Sequence, residues 1–171
     1  MQFVNRGFHD QAGRLLEIQS VGRDITERKR AEEALRKSEE KFAKAFKASP
    51  VWVAVTTVEE GRFLEVNDTF TRISGYARQE AIGRTSFDLN LWVDPQRDRQ
   101  NAVEAFHRQG MLQNYVIPLR LRDGRIHTML WSVDPIEFEG QDCFINVMLD
   151  ITEQKRAEED RARLEAQLRQ S

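Results

Sequence analysis

A ten-residue segment occurs twice in this chain. Residues 24–33 read Asp-Ile-Thr-Glu-Arg-Lys-Arg-Ala-Glu-Glu and residues 150–159 read Asp-Ile-Thr-Glu-Gln-Lys-Arg-Ala-Glu-Glu, so nine of ten positions agree at an offset of 126 residues. An interval that long is the size of a whole domain, not of a solenoid unit, and it implies one kind of connector used on both sides of a module. With 171 residues in all, one full copy of the intervening module fits.

Each connector has the chemistry of a helix start. Asp24 and Thr26, or Asp150 and Thr152, offer side-chain oxygens to the free N–H groups of a first turn, and a Glu follows three residues after the Asp. Strong helix formers without Gly or Pro come next. In the first connector Ala31, Leu35, Ser38, Phe42 and Ala45 alternate at spacings of four and three, which is the seam of a coiled coil. In the second, Ala157, Leu164 and Leu168 repeat the pattern, with Arg161 interrupting it; a single solvated helix is the alternative there. The seam predicts a homodimer through Ala31, Leu35, Phe42 and Ala45.

Between the connectors, turn residues outline alternating elements. Val51–Thr57 is β-branched, and Glu59-Glu60-Gly61 turns it into a second strand, Arg62–Val66. Asn67 and Asp68 cap a short helix, Thr69–Ser74, that stops at Gly75; Arg78–Ile82 is another helical turn, ended by Gly83. Asp94-Pro95 opens a longer helix reaching Gln109 and stopping at Gly110. Strands at about Leu112–Arg122, Arg125–Phe138 and Cys143–Asp150 complete the set, the first two joined at Asp123-Gly124. Two strands, several helices and three strands make an antiparallel α+β sheet with its helices on one face. Both faces of Val51–Thr57 are apolar, so something is expected to cover the outer face, and the amphipathic helix ending at Ala48 is the candidate.

Several of these stretches, taken in order, resemble PAS domains over residues of about 38–150. Ser38-Glu39-Glu40-Lys41-Phe42 is similar to the family's leading helix, and Ser49-Pro50 to its step into the first strand. Glu65-Val66-Asn67-Asp68-Thr69-Phe70 resembles the second strand and the helix after it, and residues 73–84, Ile-Ser-Gly-Tyr-Ala-Arg-Gln-Glu-Ala-Ile-Gly-Arg, are the most specific match. Arg122-Asp123-Gly124-Arg125 resembles a late hairpin and Asp150-Ile151-Thr152 the exit motif. The resemblance implies a PAS fold: five antiparallel strands in the order 2-1-5-4-3 around a pocket under the helices. It further implies the division 1–23, tail of a preceding PAS domain; 24–48, connector; 49–150, PAS core; 151–171, exit helix. Residues 1–23 would then be a hairpin turning at Asp10-Gln11-Ala12-Gly13, without the sheet that normally pairs it. The parent would carry an output domain, a sensor histidine kinase in preference to a diguanylate cyclase. Asp24, Ile25 and Thr26, like Asp150, Ile151 and Thr152, would be signal junctions.

No catalytic pattern emerges, and the chain reads as a regulatory input and not an enzyme. His9, His107 and His127 have no metal-binding spacing with one another or with the single cysteine, Cys143. Haem-binding PAS domains place their ligand on the long helix, but His107 is in its last turn and Gln100 lies nearer the expected site. Flavin-binding relatives carry Asn-Cys-Arg-Phe-Leu-Gln, which is absent, so neither cofactor is expected. Cys143 fits a small buried side chain in the last strand. Trp92, Phe106, Tyr115, Ile117, Met129, Trp131 and Ile145 are the candidate pocket lining, for an unidentified small ligand. They serve equally as a filled core, which would make the module a structural dimerisation spacer. A net charge of -2 and pI near 6.0 favour neither nucleic acid nor a membrane surface, and a lone cysteine suits a reducing, cytoplasmic compartment.

Overall fold

The computed structural model describes residues 2–170, leaving aside the side chains at positions 2, 16, 19–21 and 23. Two bodies divide at residue 44. The first begins with a hairpin, β1 (Gln2–His9) and β2 (Leu15–Arg23), paired antiparallel as a two-stranded sheet. Its turn is built by Asp10, whose Oδ1 accepts from the backbone N–H groups of Ala12 and Arg14, both at 2.9 Å. Phe3, Val4, Phe8, Leu15 and Ile18 are all exposed, as expected for two strands with no sheet beside them. Helix α1 (Thr26–Ala48) follows, its start capped by Asp24, which accepts from Thr26 N–H at 2.9 Å. None of its residues is buried; Leu35 is 61% and Phe42 62% exposed.

In the second body, β3 (Trp52–Thr57), β4 (Phe63–Val66), β5 (Leu112–Arg120), β6 (Ile126–Phe138) and β7 (Gln141–Asp150) form one antiparallel sheet in the order β4-β3-β7-β6-β5. Counted from β3, that is the expected order 2-1-5-4-3. Helices α2 (Asp68–Ser74), α3 (Arg78–Ala81) and α4 (Pro95–Gln109) lie between β4 and β5 in the chain, and α5 (Thr152–Gln170) continues from β7. Among the described residues no helix is long and apolar enough to cross a membrane. Proline is tolerated at both of its strand positions. Pro118 lies on the edge strand, and Pro135 lies beyond Val133, where β6 has outrun its pairing with β5.

The core fills the face of the sheet that carries the helices. Trp52, Ala54, Phe63, Phe70, Ile117, Leu119, Met129 and Met148 form its buried cluster. Trp52 and Phe63 meet Phe70 edge-on, at centroid distances of 4.6 and 5.4 Å. Asn67 holds this layer together. It is buried, and its side chain caps α2 by accepting from Phe70 N–H at 3.0 Å. The same oxygen accepts from Val53 N–H at 3.0 Å, while Nδ2 donates to Val51 O at 2.9 Å and Phe46 O at 3.1 Å. A buried amide is stable only if its donors and acceptor are used, and here all are. At the other end of α2, Gly75 adopts φ 81° and lies close to the β5–β6 hairpin: a Cβ there would stand 3.1 Å from Arg122 Cβ. Arg122 in turn donates to Glu80 at 2.6 Å and lies 5.3 Å over the Tyr76 ring, so the hairpin docks on the helices.

Candidate functional site

Two features of the second body are candidates for function: a cavity beneath α4, and the junction where β7 becomes α5. The cavity, of about 440 Å³, lies between α4, the β3–β4 turn and the inner face of the sheet. Trp92, Phe106, Ile117 and Trp131 all line it, together with Leu91, Leu112, Val133, Phe144 and Met148. The volume and the mostly apolar wall are those of a small-molecule pocket. Aromatic contacts run along it. Phe87 stacks on Trp92 at 5.6 Å, Trp92 meets Trp131 edge-on at 6.1 Å, and Phe106 meets Phe144 edge-on at 5.2 Å.

A polar strip crosses the cavity wall. Asn146 accepts from Trp131 Nε1 at 3.1 Å and donates to Thr56 Oγ1 at 3.0 Å, tying β6, β7 and β3 together. Trp92 Nε1 donates to Ser86 Oγ at 2.8 Å. At the mouth, Arg99 and His107 project from α4, and Phe87, Val58 and Val103 are exposed.

Three of the expected lining residues stand elsewhere. Ile145 pairs with Val55 and Asp134, and alternation along β7 turns it to the outer face, opposite Asn146 and Met148. Met129 has the inward direction but is fully buried within the core cluster and off the cavity wall. Tyr115, also inward, packs against that cluster and does not reach the cavity. Conversely, Asn146, Thr56, Ser86 and Arg99 line the cavity without belonging to the expected set. A signal existed for Asn146, the one amide among the apolar residues 143–149. Cys143 is buried, and burial, with Asp142 and Glu139 nearby, pushes its thiol pKa up. Gln100 bonds Glu104 along α4 at 3.1 Å, and no His/Cys/Asp/Glu cluster able to hold a metal occurs among the described residues.

At the junction, Asp150 Oδ1 accepts from Thr152 N–H at 3.0 Å and Thr152 O–H at 2.6 Å, while Oδ2 lies 2.6 Å from His127 Nδ1. Thr152 Oγ1 accepts from Thr128 N–H at 2.9 Å, and Ile151 N–H donates to Thr128 O at 2.9 Å. The first turn of α5 is thereby bolted to β6, with Ile151 and Thr152 buried. Burial raises the Asp150 pKa, but the hydrogen bonds from Thr152 and His127 outweigh it and hold the carboxyl below its ordinary value. Asp24 at the start of α1 has the same local cap, and Thr26 holds its carboxyl low. Ile25 O accepts from Lys29 N–H at 2.9 Å, as Ile151 O does from Lys155.

A search of curated proteins finds no match. Among solved structures, a PAS domain of an HTR-like protein from Haloarcula marismortui superposes with a TM-score of 0.59 at 24% identity, covering 72% of this chain and 99% of that one. A PAS domain from Colwellia psychrerythraea gives 0.58 at 24% identity, with coverage of 67% and 98%. A PAS domain from a two-component sensor histidine kinase gives 0.55 at 18% identity, with coverage of 67% and 98%. The family model described as PAS fold matches residues 46–156, well over half of the chain and the whole of the sheet, cavity and junction, so this chain belongs to the PAS fold family.

Proposed function

We propose that this chain is a sensory relay module. A small molecule occupying the cavity alters β7, and the change passes through Asp150, Ile151 and Thr152 into α5 and on to an output domain of the same parent. One observation carries this reading: β7 supplies Phe144, Asn146 and Met148 to the cavity and ends at Asp150, four residues after Asn146. That separation is about 13 Å of extended strand, short enough for a shift of the cavity wall to be felt at the cap. The output domain we favour is a histidine kinase of a two-component system, the setting of one similar PAS domain. In this role the chain binds and relays, and catalyses nothing itself.

Exposed apolar positions on the connectors support pairing with a second copy. Leu35 on α1 and Leu164 on α5 keep the seam spacing and are exposed. A homodimer through these helices gives the relay the paired element whose stagger an output domain reads.

Asn146→Leu tests the relay. It keeps the side-chain bulk but removes the bonds to Trp131 and Thr56, disturbing the cavity wall without touching the junction. Hydrogen exchange of the amides at 152–156 is expected to change relative to that of β5. Unchanged exchange at the start of α5, in a variant that retains its fold, refutes the coupling.

A further inference from the structure

Asp150 caps α5 with one carboxylate oxygen and leaves the other to a histidine. Oδ1 takes both bonds from Thr152, whereas Oδ2 lies 2.6 Å from Nδ1 of His127 on β6. The carboxyl is held below its ordinary pKa, so it is ionised and can only accept. Nδ1 therefore carries the hydrogen of the contact, and Nε2 is the atom that gains or loses a proton. The two side chains are 19% and 26% exposed, enclosed enough to limit screening and open enough to exchange a proton with solvent. Other charges around the ring come in opposite pairs. Asp123 and Arg125, in the turn before β6, bind each other at 2.6 Å, and Glu153 and Arg156 face the same groove from α5. From β5 the residue paired with His127 is Leu119, apolar and buried. Asp150 is thus the acid in contact with the imidazole. At Asp24 the described residues give the carboxyl Thr26 alone, so the histidine belongs to the exit junction and not to the connector motif.

Resting on the reading of the junction as a relay, we propose that His127 makes it responsive to protons: a charged ring clamps the start of α5 to β6, and a neutral ring loosens it. The hydrogen bond on Oδ2 is present in both forms. Protonation at Nε2 adds a full positive charge opposite the carboxylate, and with it a Coulomb attraction that the neutral ring lacks. For a partly enclosed pair this changes the opening equilibrium of the first turn of α5 by about fivefold. The added hold is present at low pH and is lost as pH rises through the titration of the ring. A proton and an occupant of the cavity then reach the same helix start by separate routes, one through β6 and one through β7.

NMR of this chain, titrated from about pH 8 to about pH 5, where histidine changes charge, follows the His127 ring and the amides of 152–156 together. Hydrogen exchange, corrected for its intrinsic pH dependence, measures opening of the same turn. The amides are expected to shift with the midpoint of the ring, and their protection to be about fivefold higher once the ring is charged. His127→Gln keeps a donor for Asp150 that does not titrate, and should abolish the pH response while α5 stays capped. Asp150→Asn keeps an acceptor for Thr152 and removes the charge, so the ring should titrate there with little effect on 152–156; this variant decides the matter if the glutamine variant does not fold. A ring that does not titrate in this range, amides that stay still while it does, or an equal response in either variant overturns the proposal. If the pH response is absent while Asn146→Leu still alters exchange at 152–156, the proton input is removed and the relay stands. If both are absent, the relay reading fails with it.

Discussion

Replacing Asp150 with alanine removes three interactions at one point: the Thr152 N–H and O–H contacts on Oδ1 and the His127 contact on Oδ2. Loss of a helix cap costs about 1 kcal/mol, and a hydrogen bond to a half-buried charged group about 1.5 kcal/mol, so Asp150→Ala should destabilise the domain by roughly 2–3 kcal/mol. Asp150→Asn keeps an acceptor for Thr152 and loses only the charge opposite His127, so its cost should be about 1 kcal/mol. Urea unfolding measures both, and hydrogen exchange locates them. The amides at 152–156 should lose more protection than those of β3 and β7, because the bonds lost belong to the junction. The advantage of wild type over Asp150→Asn also has a defined pH range. A carboxyl held below its ordinary pKa of 3.8 contributes stability that is fully present above that value and is lost as pH falls through the lower, folded-state pKa. The gap between the two proteins should therefore be present at the ordinary carboxylate value and close in stronger acid. Uniform loss of protection across the sheet and α5, or a cost below about 0.5 kcal/mol, refutes the view of Asp150 as the bolt of the exit helix.

Asn67→Ala strands two buried N–H groups and two carbonyls, and is expected to cost about 3 kcal/mol or more, seen as a lower urea midpoint with an unchanged slope. Gly75→Ala forces a Cβ onto a left-handed residue 3.1 Å from Arg122 Cβ; a loss of about 1–2 kcal/mol is expected from calorimetry, and an unchanged Tm would contradict the docked hairpin. In the proposed homodimer, Leu35→Asp puts a charge between the paired α1 helices and should shift light-scattering mass toward the monomer at a given concentration, with the far-UV spectrum intact; a monomeric wild type, or equal association of the mutant, would refute pairing through α1.

The sequence by itself determined the elements whose causes are local. Helix starts at Asp24 and Asp150, the cap at Asn67, the stops at Gly75 and Gly110, and the Asp123-Gly124 turn each depend on a few neighbouring residues, and each stands where those residues put it. The strand order came from the resemblance that the ordered motifs carry. Direction within a strand was another matter. In residues 143–149 the odd positions, Cys143, Ile145, Val147 and Leu149, are uniformly apolar, while the even ones include Asn146. Hydrophobicity alone therefore turns Ile145 inward. Tertiary structure decides the opposite, because Met148 must join the core beside Trp52, its partner across β3, and Asn146 then finds Thr56 and Trp131 to satisfy it. Contacts across long separations were equally beyond local reading. His127 meets Asp150 only through the β6–β7 register, and Asn67 reaches Phe46 and Val51 only because α2 packs back on the start of β3. Short-range chemistry writes caps and turns into the chain, whereas the face a strand presents and the partners of a buried polar group exist only once the sheet has closed.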